Sequence, residues 1–144
     1  MRAGATKRLV LDASVTLAWC FPEESSTYSD AVLDLLSSGA EVVAPAIWPF
    51  EVANALLVAE RRKRITVTQV TPLLHLISSL PISVEPIPVD RAFGPILAAA
   101  RDENLTEYDA AYLELALREG LPLATLDQRL RQAARNTGVA IVKI

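Results

Sequence analysis

The sequence predicts an α/β fold, a three-layer sandwich in which helices cover both faces of a parallel sheet of about five strands. Short apolar runs alternate with helical patterns along the 144 residues, and this alternation is typical of parallel strands joined by right-handed helical crossovers. The first run, residues 9–11, is apolar at every position, as in a strand buried on both faces. No repeat or low-complexity linker divides the chain, so residues 1–144 are expected to form one domain.

The elements follow in order from the first strand. Pro22 stops a helix over 13–21, and Gly39 ends a second helix over 25–38. A strand over 41–44 precedes the longest helix, 47–62. Apolar residues at helical spacing predict a helix over 67–77, although Pro72 leaves its start uncertain. The rest of the prediction comprises a strand over 82–87, helices over 91–103 and 106–119, a strand over 121–126, a helix over 127–137 and a last strand over 139–144.

The composition narrows the class of protein. Half of the residues are hydrophobic and 22% are charged, which argues against disorder. The apolar run behind the basic N-terminus stops after three residues, and the most apolar segment, 46–59, contains Glu51 and Asn54. These lengths exclude a signal peptide and a membrane span. With Cys20 as the only cysteine, we expect a cytoplasmic protein with no membrane partner.

Four carboxylates are expected to meet at one edge of the sheet. Asp12 ends the first strand, Glu51 and Asp109 lie in the first turns of helices, and Asp127 follows the fourth strand. The carboxyl ends of parallel strands and the N-termini of the helices packed on them share an edge, where open α/β folds bind ligands.

Each acid also has a structural interpretation. Asp12 and Asp127 could be helix N-caps, and Thr106 with Asp109 resembles a capping box. Glu51 lies in a helix whose apolar residues cover nearly every side, so this helix is predicted to be largely buried. An ionised carboxylate there requires a cation. Either a distant arginine or a metal ion would satisfy Glu51.

The group as a whole favours a metal. Two carboxylates about 5 Å apart repel by about 3 kcal/mol at an effective dielectric constant of about 20. An all-oxygen site selects Mg²⁺ or Mn²⁺ over zinc, which prefers His and Cys. The only histidine, His75, is far in sequence from every acid, and Ser14 has no evident general base. A Ser/His mechanism is therefore disfavoured.

These motifs resemble those of the PIN-domain nucleases, in particular the VapC toxins of bacterial type II toxin–antitoxin systems. The resemblance covers essentially the whole chain through four motifs in the expected order, VLDASV from residue 10, EVANAL from 51, LTEYDAAY from 105 and ATLDQRL from 124. Asp12, Glu51, Asp109 and Asp127 match the family's acids, of which the fourth is the less regular.

The resemblance implies a sheet in the order 3-2-1-4-5, with Asp12 and Asp127 beside the switch-point crevice. It also implies RNA cleavage with Mg²⁺ or Mn²⁺ held by the four acids, leaving a 5′-phosphate and a 3′-hydroxyl. The metal would lower the pKa of a bound water for attack on the phosphodiester. The implied partners are RNA, a VapB-type antitoxin and a second copy of the chain.

Neighbouring polar residues are candidates for supporting roles. Ser14, Asn54, Thr106 and Thr125 could orient the carboxylates or water, although each could equally serve as a cap or buried polar residue. The net charge of −3 requires a local basic surface for RNA. Arg129 and Arg131 lie near the acidic edge and are predicted to bind phosphate. The basic run 61–64 lies about 15 Å along its helix from Glu51 and is interpreted as a solvated helix end.

Three other functions remain possible at this stage. A haloacid-dehalogenase-type phosphatase also starts with a strand ending in Asp, but it needs a second Asp where this chain has Ser14. A phosphate-receiver domain shares the sheet and normally has adjacent acids after the first strand, which are missing here. A non-catalytic interaction module could retain the acids only to bind a structural cation.

Overall fold

The sheet confirms the α/β class and contains four parallel strands in the order β3-β2-β1-β4. A computed structural model describes residues 7–144, so the start of the predicted domain, residues 1–6, lies outside the described residues. The strands are β1 Arg8–Leu11, β2 Glu41–Pro45, β3 Ile82–Glu85 and β4 Leu123–Ala124. The order reverses between β2 and β4 on either side of β1, which creates the switch-point crevice.

Helices cover the sheet and account for most of the described chain. They are α1 Ala13–Cys20, α2 Thr27–Ser37, α3 Trp48–Arg61, α4 Val67–Ser79, α5 Val89–Arg91, α6 Leu97–Glu103, α7 Glu107–Glu119 and α8 Gln128–Thr137. None of the helices within residues 7–144 has the length and apolar character to span a bilayer.

The predicted fifth strand is reduced to a single bridge. Within 139–144 only Ile141 pairs, in parallel, with Leu123. The Leu123 N–H donates to the Ala140 carbonyl (2.9 Å), and the Val142 N–H donates to the Leu123 carbonyl (2.9 Å). Because β4 is only two residues long instead of the predicted six, it offers little backbone for a further ladder. The expectation of five full strands is therefore wrong by one.

The predicted helix 91–103 begins earlier and is not uniform. A π-helical segment, Ala92–Ile96, joins α5 to α6. Pro95 has no N–H to donate to the carbonyl four residues before it, and Gly94 beside it has low helix propensity. A local π turn accommodates both residues without ending the helix. The uncertain start of α4 is settled by Thr66, whose capping box with Gln69 places Pro72 inside the helix.

The core is centred on β1. Its residues Leu9, Val10 and Leu11 are at most 2% exposed, as the apolar run predicts. The indole N–H of Trp48 donates to Thr16 Oγ1 (3.0 Å) in the buried contact between α1 and α3. This bond satisfies two buried polar groups and fixes the helix that carries Glu51 against the helix that follows Asp12.

Helix α3 is less buried than the sequence predicts. One stripe, which includes Val52 and Leu56, packs into the core, but Phe50 is 78% exposed and Leu57 is 39% exposed. The expectation of a helix buried on nearly every side is therefore wrong. Apolar residues on both sides of a helix do not show how many sides meet another element, and here the outer face of α3 has no neighbour among residues 7–144.

An ion-pair cluster joins α7 to the elements before it. The nearly buried Glu114 accepts from Arg91 (2.9 Å) and Arg118 (3.2 Å), and Arg118 also pairs with Glu85 at the end of β3 (2.7 Å). A buried carboxylate requires such pairing. The cluster holds α7, and with it Asp109, against β3 and α5.

Candidate active site

Asp12 lies at the end of β1 and is the most buried of the four acids, at 5% exposure. It precedes α1 but makes no side-chain capping bond to that helix, so the N-cap interpretation does not explain it. The Ser14 hydroxyl donates to Asp12 Oδ2 (2.6 Å), and the Thr125 hydroxyl donates to the same oxygen (2.8 Å). The carboxylate is thus held from both sides of the crevice.

Each of these two hydroxyls also accepts a backbone hydrogen bond. The Leu126 N–H donates to Ser14 Oγ (3.0 Å), and the Asp127 N–H donates to Thr125 Oγ1 (3.0 Å). Since a backbone N–H can only donate, the single proton of each hydroxyl is directed to Asp12. Ser14 and Thr125 therefore lie beside Asp12, where the sequence predicted supporting residues.

Glu51 is half-buried in the first turn of α3 and faces a tyrosine. The hydroxyl of Tyr112 donates to Glu51 Oε1 (2.5 Å). Within residues 7–144 no Lys or Arg forms an ion pair with Glu51, so the alternative of a distant arginine is not the arrangement found. Sequence reasoning missed Tyr112. Its place one turn after Asp109 on α7 was visible, but a contact between residues 61 positions apart was not.

Asp109 lies in the first turn of α7. The Asp109 N–H donates to Thr106 Oγ1 (3.1 Å), so Thr106 is the N-cap of α7. The helix has a cap but not the reciprocal bond of a capping box, and a hydrogen bond from the Thr106 side chain opposes the rise in the pKa of Asp109.

Asp127 does act as a helix cap. Its Oδ1 accepts from the N–H groups of Arg129 (2.8 Å) and Leu130 (3.1 Å) at the start of α8. The structural interpretation is therefore correct for Asp127. A carboxylate has two oxygens, so the cap does not prevent a second role at the site.

The four acids form one electrostatic group. Burial raises the pKa of Asp12, and the charge of Asp127 adds to this, whereas the Ser14 and Thr125 hydrogen bonds oppose it. Burial also raises the pKa of Glu51 and that of Asp109, and the charge of Asp12 raises both further. Tyr112, buried beside Glu51 and Asp12, has a pKa raised far above the ordinary range of a phenol. Negative charge is thus concentrated at this edge, and the charge of Arg129 only partly offsets it at Asp109.

The site suits a hard divalent cation. In the described chain, no three His, Cys, Asp or Glu side chains are gathered closely enough to hold an ion together. Mg²⁺ needs fewer protein ligands, since it commonly binds through one or two carboxylates and keeps several waters. Asp12 and Asp109, with Glu51 and Asp127 around them, provide oxygen donors only. A cation would relieve the repulsion that adds to burial in raising the pKa values of Asp12, Glu51 and Asp109.

Comparison with known proteins identifies the family. The PIN domain family matches residues 9–136 of this chain, from β1 into α8. The chain belongs to the PIN domain family. The matched segment contains all four acids, and the order β3-β2-β1-β4 agrees with the expected order 3-2-1-4-5 except for the missing fifth strand.

Known proteins of similar sequence or similar fold also match this PIN domain over most of its length. The chain is 29% identical over 125 residues to Ribonuclease VapC3 of Pyrobaculum aerophilum, covering 87% of this chain and 93% of that protein. The Mycobacterium tuberculosis toxin VapC20, described as cleaving the sarcin–ricin loop, superposes with a TM-score of 0.67 at 15% identity, covering 94% and 99% of the two chains. VapBC2 from Rickettsia felis, bound to promoter DNA, gives 0.65 at 12% identity, covering 94% and 97%.

The predicted RNA-binding arginines differ in their surroundings. Arg129 is exposed, and its charge lowers the pKa of Asp109, so it lies near the acidic edge. Arg131 is half-buried, donates to the Thr125 carbonyl (2.8 Å) and lies over the ring of Tyr28 at 4.6 Å. Arg129 is the better placed of the two to meet a phosphate of a substrate.

Two other predicted polar features make no hydrogen bond or ion pair with the four acids among the described residues. Asn54 is exposed on α3 and makes no side-chain hydrogen bond within the described residues. At the end of the basic run, Arg64 pairs with Glu23 (3.0 Å) and Glu24 (3.2 Å) and lies over the ring of Phe21. These contacts agree with the interpretation of the run 61–64 as a helix end rather than an RNA contact.

The raised pKa values predict how stability changes with pH. Between the ordinary carboxyl pKa of about 4 and the raised values of Asp12, Glu51 and Asp109, the folded state binds more protons than the unfolded chain. The contribution of these groups to the free energy of unfolding therefore falls as pH rises through this window. Asp109→Asn should reduce that fall and stabilise the metal-free protein at neutral pH. Urea unfolding in EDTA from about pH 4 to about pH 8 measures both effects.

A matched control separates this effect from the general loss of a negative charge. Asp34 is exposed on α2, and Asp34→Asn should follow the wild-type dependence on pH. An Asp109→Asn protein with the wild-type pH dependence would contradict the repulsion assigned to the site.

Proposed function

We propose that this chain is the toxin of a toxin–antitoxin pair, a Mg²⁺- or Mn²⁺-dependent endoribonuclease that acts in the cytoplasm. The observation that carries the proposal is the group of four mutually repelling carboxylates at the carboxyl edge of a PIN-domain sheet. The names of relatives with the same fold and length, a VapC ribonuclease and a VapC toxin, support RNA as the substrate.

In the proposed mechanism, Asp12 and Asp109 would hold the divalent cation, with Glu51 and Asp127 as further oxygen donors. A divalent cation held there would lower the pKa of a bound water and neutralise charge on the phosphodiester. Ser14 and Thr125 orient Asp12 through their hydroxyls and favour its ionised form against the cost of burial. Thr106 keeps the first turn of α7, and so Asp109, in place.

The structure gives less support to a phosphatase. A haloacid-dehalogenase-type site needs a carboxyl group two residues after the first Asp, and here the Ser14 hydroxyl at that position donates to Asp12. A site of that type would therefore lack its second acid. The cleavage experiment also tests for a metal-binding module without turnover, which would bind the cation but cut no RNA.

Cleavage of RNA is the direct test. Purified protein free of antitoxin should cut total bacterial RNA at discrete sites with Mn²⁺ or Mg²⁺, and mapping of new 5′ ends would identify the target. EDTA should abolish cleavage, because it removes the cation. Asp109→Asn should slow cleavage by at least about a hundredfold, because it removes a ligand of the cation; this corresponds to about 2.7 kcal/mol of transition-state stabilisation.

Asp34→Asn provides the control, since it removes an exposed carboxylate from α2 and should retain the wild-type rate. Folded wild-type protein that binds Mn²⁺ but cuts no RNA in a complete pool would exclude the ribonuclease and favour an interaction module.

If RNA lies over the start of α8, two arginines should differ in their effect on RNA binding. Arg129→Ala should weaken RNA binding for all sequences and reduce the slope of log affinity against log salt by about 1, as expected for one lost phosphate contact. Arg61→Ala, at the far end of α3, should leave both quantities unchanged. Filter binding with catalytically inactive Asp109→Asn protein measures them. Equal losses for the two variants would contradict an RNA path over the start of α8.

The proposed protein partners are a VapB-type antitoxin and a second copy of the chain. A structure named VapBC2 among those with this fold supports the first. The outer face of α3, where Phe50 and Leu57 are exposed, provides apolar surface for association.

Light scattering tests whether the chain forms a homodimer. Wild-type protein should have the mass of two chains at micromolar concentration, and Leu57→Asp should shift it toward the mass of one chain, because a carboxylate cannot be buried in such a contact without a partner. A wild-type protein with the mass of one chain under these conditions would contradict the homodimer.

A further inference from the structure

Tyr112 is a fully buried residue whose hydroxyl reaches the acidic site. Its exposure is 0%, and its ring belongs to the main core. The hydroxyl nevertheless ends 2.5 Å from Glu51 Oε1. Because the residue has no exposed surface, it cannot contact a substrate itself. Any influence on the chemistry must pass through Glu51.

The hydrogen bond has a defined direction. A phenol has an ordinary pKa of about 10 and is a donor to a carboxylate at neutral pH. Tyr112 is the only side chain among residues 7–144 that donates to Glu51. Its bond to Oε1 therefore determines the orientation of the carboxylate and leaves Oε2 for another ligand.

The placement of Tyr112 links two acids from distant segments. It lies three residues after Asp109, one turn along α7. The same helix therefore supplies one acid directly and restrains another, Glu51, from α3. A long Glu side chain loses considerable rotamer freedom when it becomes a ligand, and a hydrogen bond that already holds it reduces this cost.

We propose that Tyr112 is a positioning residue of the site: its hydroxyl fixes the Glu51 side chain so that Oε2 faces the divalent cation. This role rests on the proposed function, since it assumes that Glu51 takes part in holding the cation. It differs from a structural role, in which Glu51 would merely satisfy a buried phenol.

Tyr112→Phe removes one oxygen and keeps the ring. The dissociation constant for Mn²⁺, measured from the free-ion signal in electron paramagnetic resonance, should rise by about tenfold or more, as for other groups that orient metal ligands. At saturating Mn²⁺, kcat for RNA cleavage should fall while KM for RNA stays unchanged. A variant that loses only thermal stability, with wild-type Mn²⁺ affinity, would overturn the proposal.

The chain offers a matched control. The Tyr28 hydroxyl is also buried but donates to none of the four acids, so Tyr28→Phe should leave Mn²⁺ affinity unchanged. Glu51→Gln provides a double-mutant cycle: if Tyr112 acts through Glu51, Tyr112→Phe should cause no further loss of affinity in that background. An equal loss in both backgrounds would contradict the assigned path.

A measurement on protein that retains Tyr112 covers the case in which Tyr112→Phe does not fold. The chain has three tyrosines, so a ¹³C-tyrosine spectrum of protein carrying Tyr28→Phe and Tyr108→Phe contains Tyr112 alone. Addition of Mg²⁺ should shift its Cζ signal, and an unchanged signal on binding would overturn the role. Wild-type protein that binds no Mn²⁺ would overturn the metal site as well, whereas wild-type binding with unchanged Tyr112→Phe affinity would overturn only the role of Tyr112.

Discussion

The hydrogen bonds that Ser14 and Thr125 make to Asp12 are the constraint on which the site depends. They join the end of the central strand to the segment after β4, across the crevice where the strand order reverses. The Ser14 hydroxyl also accepts from the Leu126 N–H across the crevice, and the Thr125 hydroxyl accepts from the Asp127 N–H of its own segment. Neither hydroxyl can therefore rotate away without leaving a buried polar group unpaired. Two small side chains therefore hold Asp12 in position and oppose the rise in its pKa that burial causes.

The same edge of the sheet is electrostatically unfavourable in the absence of a cation. Burial raises the pKa values of Asp12, Glu51 and Asp109, and their mutual repulsion adds to the effect. Elsewhere in the fold a buried carboxylate is neutralised, since Glu114 forms ion pairs with Arg91 and Arg118. This contrast within one chain distinguishes an acid that stabilises the fold from acids retained at a cost to stability, and such a cost is typical of functional sites.

Structural and functional roles overlap at the helix starts. Asp127 caps α8 with one oxygen and belongs to the acidic group with its charge. Thr106 caps α7 and thereby sets the first turn that carries Asp109. Trp48 fixes α3 to α1 through Thr16 and so sets the distance between Glu51 and Asp12. The helix termini that need capping are also the ones that deliver the acids, because both lie at the carboxyl edge of the parallel sheet.

The sequence by itself determined the fold class, the first four strands and the edge where the acids meet, because hydrophobic periodicity and the alternation of strands with helices are local signals. It did not determine the exposure of Phe50 and Leu57, the shortness of β4 or the partner of Glu51. Each of these depends on which distant surface covers a residue. Tyr112 shows the difference most clearly: its apolar ring predicts burial from the sequence, but its acceptor 61 residues away exists only once α3 and α7 pack on the same sheet.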